Sequence, residues 1–129
     1  MSIEEEKQLY VDELIRALKL QVHCTVQAAK IVDPTIELKK IEACGSLSDF
    51  LKGDKERFRT PLELPSGNYS DLDIVLTFNK PDDAVSEILA KAEAEHCPCV
   101  YMPRIGAHEY VWNLPSRTPC KPEQRVIIE

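Results

Sequence analysis

The sequence predicts one α/β (α+β) domain in which a long N-terminal helix precedes a mixed sheet. Apolar residues recur at helical spacing from the N-terminus to about Val32, and residues 71–78 have the composition of a strand. Helix-like and strand-like segments alternate along the rest of the chain. The 129 residues suffice for one hydrophobic core, and no repeat or change of composition marks a second domain, so we assign residues 1–129 to a single unit.

The first predicted element is a long helix. Ser2 and Glu5 have the spacing of a capping box, in which each side chain accepts a hydrogen bond from the backbone of the other residue. No Gly or Pro follows until Asp33-Pro34, and the residue before a proline avoids the helical region. We therefore expect one helix to about Val32, with an irregularity near His23-Cys24.

A strand, a tight turn and a loop follow. Apolar residues alternate within residues 36–44, and Gly45 ends this strand at Cys44. Residues 47–51 are long enough only for a short helix. Residues 53–69 contain prolines, glycines and charges, which is the composition of a loop.

The second half of the chain begins with the clearest strand, residues 71–78, which are rich in β-branched and aromatic side chains. Pro81 and the acids after it suit the first turn of a helix, which continues over residues 84–95. Three short β-like segments then complete the predicted sheet: residues 99–102, 109–114 and 125–128.

Two aspartates at the start of the clearest strand are candidate metal ligands. Side chains alternate between the faces of a strand, so Asp71 and Asp73 share one face. Leu72, Ile74 and Leu76 share the other face, are all apolar and face a core. A cation would relieve the repulsion between the two carboxylates, and hard oxygen ligands suit Mg²⁺. The alternative is a pair of solvated acids beside a loop.

Gly45-Ser46 is a candidate phosphate-binding turn. It lies between a predicted strand and a predicted helix, where free backbone N–H groups can face an anion. Glycine permits close approach of the backbone, and the Ser46 hydroxyl can cap the helix or donate to a phosphate oxygen. The alternative is an ordinary turn with a serine cap.

These two motifs, Gly45-Ser46 and Ser70-Asp71-Leu72-Asp73-Ile74-Val75-Leu76, resemble those of the nucleotidyltransferase superfamily related to DNA polymerase beta. With the long helix before the Gly-Ser turn, residues 3–95 are similar to the branch that contains cyclic GMP-AMP synthase, oligoadenylate synthase and their male-abnormal relatives. The resemblance implies that Gly45 and Ser46 hold a nucleoside triphosphate. It also implies that Asp71 and Asp73 are the catalytic carboxylates and hold two Mg²⁺ (or Mn²⁺) ions, for transfer of a nucleotidyl group to a hydroxyl.

The sequence departs from the family pattern in three ways. Residues 47–70 separate motifs that are usually closer, and the family has a third carboxylate on a later strand, for which Glu129 is the candidate. The chain also lacks the helical half that follows the palm in this branch, so the resemblance implies a truncated palm. A catalytically silent module that binds a nucleotide or a protein partner is therefore the alternative function, and an unrelated interaction domain is a third.

The net charge and the cysteines limit which binding partners and cellular locations the sequence predicts. A formal charge of −6 argues against broad binding of nucleic acid, although basic residues between Lys52 and Arg59 form either a local phosphate patch or a solvated loop. No apolar run reaches the roughly 20 residues of a membrane-spanning helix, and the acidic N-terminus is not a secretory leader. Five irregularly spaced cysteines predict free thiols and a cytosolic or nuclear location.

A zinc site is the other chemistry that the sequence offers. Imidazole and thiolate ligands suit tetrahedral zinc, but their spacing here is not that of a zinc ribbon, and buried cysteines are the alternative. The candidate ligands are His96, Cys97, Cys99, His108 and Cys120.

Overall fold

The computed structural model describes residues 2–60, 70, 72–96, 110–113 and 121–129. Among these residues, helices and strands follow one another in the predicted order, and the class is α+β with a long N-terminal helix, as predicted. The predicted strand at residues 99–102 lies outside the described residues. The elements are α1 (Ile3–Val32), β1 (Leu38–Ala43), α2 (Gly45–Leu51), β2 (Leu72–Phe78), α3 (Asp82–His96), β3 (Tyr110–Asn113), a 3-10 turn (Pro122–Gln124) and β4 (Val126–Ile127). Within these ranges, no helix combines the length and the apolar character needed to cross a membrane.

Helix α1 begins and ends as the sequence predicts. The Ser2 side chain accepts a hydrogen bond from the Glu5 N–H at 3.2 Å, and the Glu5 carboxylate accepts one from the Ser2 N–H at 3.2 Å. The helix ends at Asp33, whose backbone is extended. The predicted irregularity near His23-Cys24 is wrong, because the α-helix continues without interruption through both residues.

The sheet is mixed and has the strand order β3-β2-β1-β4. Strand β1 lies between β2 and β4 and is antiparallel to both, with Ala43 opposite Ile74 and Glu42 opposite Ile127. Strand β3 is parallel to β2. Since β1 and β2 are antiparallel, the end of β1 lies beside the start of β2.

One face of β2 packs against α1 and forms the main core. Leu72, Ile74 and Leu76 alternate along the strand and are at most 1% exposed, as the sequence predicts. Burial of a side chain of this size contributes about 1.5–3 kcal/mol. A smaller cluster of Ile36 and Val85 with Ala29 holds α3 against the C-terminal end of α1.

Candidate functional site

Gly45 and Asp73 lie in contact at the end of the sheet where β1 ends and β2 begins. The Cys44 N–H donates a hydrogen bond to the Asp73 carbonyl oxygen at 2.9 Å, which extends the pairing of the two strands by one residue. Gly45 has φ +59°, and a Cβ atom at this position would lie 2.9 Å from Asp73 Oδ2. The Asp73 carboxylate therefore occupies space that any other residue at position 45 would need.

Asp73 lies on the face of β2 opposite the core. It is half-buried, whereas its neighbours Leu72 and Ile74 are fully buried on the other face. Asp71, the second member of the predicted carboxylate pair, lies outside the described residues. Within the described part of the chain, no three His, Cys, Asp or Glu side chains cluster closely enough to hold a metal ion.

Ser46 is not the cap of helix α2. The cap position belongs to Cys44, which makes no side-chain capping bond, and Ser46 is already the second residue of the helix. The prediction of a Ser46 cap is therefore wrong. Among the described residues, the Ser46 hydroxyl has no hydrogen-bond partner, and it remains able to donate to a ligand.

A cavity of about 660 Å³ opens beside this turn. Three acidic residues and two arginines are among its lining residues, so the cavity offers both acceptors and donors to a polar ligand. The lining residues described are Gly45, Ser46, Asp49, Asp54, Glu56, Arg57 and Arg59.

Two arginines from the predicted loop lie at this cavity. Arg57 is held by acids, with Nε 3.2 Å from Asp54 Oδ2 and Nη1 3.7 Å from Asp49 Oδ2. In the described part of the chain, the Arg59 guanidinium takes part in no ion pair or hydrogen bond. A free guanidinium beside the Gly45-Ser46 turn is a suitable partner for phosphate.

The backbone around Arg59 is well anchored. Phe58 and Thr60 on either side of it are fully buried, so the chain alternates inward and outward side chains here. The Arg59 N–H donates to Ser70 Oγ at 2.7 Å, and the Ser70 N–H donates to the Arg59 carbonyl at 2.9 Å. This part of the predicted loop is therefore tied to the start of β2. The alternation Phe58-Arg59-Thr60 is the sequence signal that could have indicated it.

Glu129, the candidate third carboxylate, lies far from Asp73. Ile127 pairs with Glu42, and the Ile128 N–H donates to the Ile41 carbonyl, so Glu129 continues toward the start of β1. From this register, Glu129 and Asp73 are four residue levels and two strand widths apart, or about 16 Å. The two carboxylates cannot share a metal ion in this arrangement.

The cysteines differ from the predicted set of free thiols. Cys24 is free, as predicted. The prediction is wrong for Cys44, which is disulfide-bonded. Of the candidate zinc ligands, His96 is the last residue of α3, and Cys97, Cys99, His108 and Cys120 lie outside the described residues.

The structure thus brings three predicted site residues, Gly45, Ser46 and Asp73, to one end of the sheet, and it adds Arg59 beside them. A carboxylate next to donors for anions allows a cation and a phosphate to be held side by side. The chain matches no family model, no curated protein and no solved structure.

Proposed function

We propose that this chain is a nucleotidyltransferase-like domain that binds a nucleoside triphosphate with Mg²⁺ or Mn²⁺ and transfers its nucleotidyl group to a hydroxyl. One observation carries the proposal: the Asp73 carboxylate lies against Gly45, 2.9 Å from the position of a Cβ atom there. Residues 47–70 separate the two motifs in the sequence. Their contact supports a common site for the phosphates and for the cation.

Asp73 fits the role of a ligand to a hard cation. It is half-buried and lies against Gly45. Any larger residue at position 45 would collide with the Asp73 carboxylate. Asp73 would hold the ion together with Asp71, and substrate phosphate oxygens would complete the coordination. When bound, the cation would neutralise the negative charge that develops on the leaving pyrophosphate.

The phosphate contacts would come from the turn and from the adjacent loop. Ser46 can donate its hydroxyl, and Gly45 allows phosphate oxygens to approach the backbone. Arg59 would add a charge-assisted hydrogen bond. In the transfer, the acceptor hydroxyl would lose its proton to solvent, and its oxygen would bond to the α-phosphorus. The bond from that phosphorus to the pyrophosphate would break.

A catalytically silent module that binds a nucleotide or a protein partner is the second candidate. The observation that favours it is the position of Glu129, about 16 Å from Asp73 by strand register. Two-metal transfer relies on several carboxylates around both ions. A domain with only Asp71 and Asp73 as metal ligands would bind a nucleoside triphosphate more readily than it would catalyse transfer of the nucleotidyl group.

Ligand-dependent stability tests whether the site exists. The melting temperature would be measured with ATP or GTP, with and without Mg²⁺ or Mn²⁺, for the wild type, for Asp73→Asn and for the exposed control Asp12→Asn. A ligand at 100 times its Kd stabilises the folded state by about 2.7 kcal/mol. We expect metal-dependent stabilisation in the wild type and in the control, and its loss in Asp73→Asn. Equal behaviour of all three proteins would reject the site.

Release of pyrophosphate separates the enzyme from the silent module. The wild type would be incubated with each nucleoside triphosphate and with hydroxyl acceptors, and Asp73→Asn would serve as the inactive reference. Release in the wild type alone supports the transferase. Nucleotide-dependent stabilisation without release supports the silent module.

We also propose the ligand and the location of the protein. The nucleoside triphosphate is the expected ligand, and the net charge of −6 does not indicate nucleic acid as a partner. A cytosolic or nuclear location remains part of the proposal. The disulfide at Cys44 weighs against it, since disulfides are rare in those compartments.

A further inference from the structure

Helix α1 carries three large apolar side chains on the face opposite its buried stripe. Leu9, Leu20 and Ile31 are 51%, 63% and 66% exposed. Each is 11 residues from the next, which is close to three helical turns, so the three side chains lie along one line. Leu18, which is fully buried, lies on the opposite side of the helix. We refer to Leu9, Leu20 and Ile31 as the outer stripe.

Charge is divided between the two halves of the same helix. Its first half is acidic, and residues 16–32 contain no Asp or Glu. The acids of the first half are Glu4, Glu5, Glu6, Asp12 and Glu13, with Lys7 as the one base; the bases of the second half are Arg16, Lys19 and Lys30. An antiparallel partner helix with the same division of charge would oppose unlike charges at both ends.

We propose that the outer stripe is a contact surface for a second copy of this chain, packed antiparallel on α1 about a two-fold axis at Leu20. Leu9 and Ile31 are equally distant from Leu20 along the helix. The axis would therefore bring Leu20 onto its own copy, and Leu9 of each chain onto Ile31 of the other. A two-fold interface must be self-complementary in this way.

An ion pair at each end of the contact follows from the same symmetry. Asp12 and Lys30 lie on the same side of the outer stripe, and both are exposed. In the antiparallel arrangement, Lys30 of one chain is level with residue 10 of the other, less than one helical turn from Asp12. Asp12 accepts a hydrogen bond from Gln8 Nε2 at 2.9 Å and keeps lone pairs for a second donor. The two pairs would select the antiparallel orientation.

The contact is small. Leu9 and Ile31 are 22 positions apart, so the outer stripe is about 33 Å long. A single line of side chains buries much less than the roughly 800 Å² per partner of a standard interface. The dimer is therefore weak, and its population rises with protein concentration.

Sedimentation velocity from about 10 µM to about 1 mM protein tests the dimer. We expect the wild type to shift from monomer toward dimer over this range. Leu20→Lys places two like charges at the axis and should leave a monomer at every concentration. Ile3→Lys is the matched control, because Ile3 is 66% exposed on the same helix but lies off the outer stripe. The control should dimerise like the wild type.

Charge exchange tests the orientation. Asp12→Lys and Lys30→Asp should each weaken the dimer several-fold, since like charges then face each other. The double variant places Lys at position 12 opposite Asp at position 30 and should restore association to near the wild-type Kd. Helical content by circular dichroism would confirm that each variant is folded. A monomeric wild type at about 1 mM, or a dimer that Leu20→Lys leaves unchanged, would overturn the proposal.

Discussion

The Asp73 carboxylate of β2 fills the space in front of Gly45, with Oδ2 2.9 Å from the position that a Cβ atom would take. The contact forms because the hydrogen bond from the Cys44 N–H to the Asp73 carbonyl continues the antiparallel pairing of β1 and β2. The positive φ of Gly45 and the position of the Asp73 side chain on β2 thus depend on each other. This dependence can be measured.

Gly45→Ala should lower the free energy of unfolding by about 1–3 kcal/mol, because φ +59° strains an alanine and its Cβ would collide with Asp73. In an Asp73→Ala background the collision is absent, and the cost of Gly45→Ala should be smaller by about 0.5–3 kcal/mol. Urea unfolding of the single variants and of the double variant measures this coupling.

Gly53→Ala is the control for that cycle. Gly53 also has a positive φ, +111°, but in the described part of the chain no atom beyond its two chain neighbours lies within 4 Å of an added Cβ. Its cost should be the same in the wild-type and Asp73→Ala backgrounds, since it arises from backbone strain alone. Coupling of equal size at positions 45 and 53 would contradict the contact between Gly45 and Asp73.

Arg59→Gln should weaken binding of the Mg²⁺ complex of ATP. A hydrogen bond to a charged group contributes about 1.5–3 kcal/mol, which corresponds to a rise in Kd of roughly 10- to 100-fold. Arg16→Gln is the control, since Arg16 lies on α1 in an exposed pair with Glu13 at 2.6 Å. Calorimetric titration gives both Kd values. An unchanged Kd in Arg59→Gln, with binding lost in Asp73→Asn, would remove Arg59 from the site but leave the site itself.

Glu129→Ala should leave metal-dependent nucleotide stabilisation as it is in the wild type. The residue lies about 16 Å from Asp73, and a substitution at an exposed C-terminal position changes stability by about 0.5 kcal/mol or less. Melting temperatures with and without ATP and Mg²⁺ would show this. Loss of the stabilisation would mean that β4 does not pair with β1 in the register that places Glu42 opposite Ile127.

Asp33 should contribute to stability in a pH-dependent way. The Thr35 hydroxyl and the Thr35 N–H donate to its carboxylate at 2.7 and 2.9 Å and lower its pKa; Lys80, 3.3 Å away, acts in the same direction with less effect. A lowered pKa in the folded state stabilises the protein above the pKa of the unfolded chain, about 3.9. This stabilisation is lost as the pH falls through the lower, folded-state pKa.

Thr35→Val removes the hydroxyl donor but keeps the backbone N–H, so the pKa of Asp33 should rise toward its ordinary value. Lys80→Gln should raise it less. NMR titration of the Asp33 carboxyl carbon between about pH 2 and pH 6 gives both values. The reverse order, with the larger rise in Lys80→Gln, would mean that the ion pair rather than the Thr35 contacts holds the pKa down.

The regular elements could be predicted from the sequence because each depends on neighbours along the chain. The Ser2 and Glu5 capping box, the stop at Asp33 before Pro34 and the buried alternation of β2 are local patterns, and the structure confirms all three. The predicted cap of α2 is wrong. Its first residue is Gly45, so the cap belongs to Cys44 rather than to Ser46.

The candidate site could be predicted only in its parts. The residue types of Gly45, Ser46 and Asp73 indicated phosphate and metal chemistry, but their spacing along the chain does not determine a distance in space. Strand pairing depends on long-range register. Because of that register, Asp73 lies against Gly45, whereas Glu129 follows the edge strand β4.

By itself, therefore, the sequence determined the class of the fold, the limits of α1 and the chemical character of the candidate residues. Local hydrogen bonds and hydrophobic periodicity act between residues close in the chain, and these can be identified directly. Only the tertiary structure decided which candidate site residues lie close together in space. It anchored Arg59 to Ser70, and it left Leu9, Leu20 and Ile31 uncovered on α1. Contacts between distant segments depend on how the whole chain packs, and no local pattern contains that information.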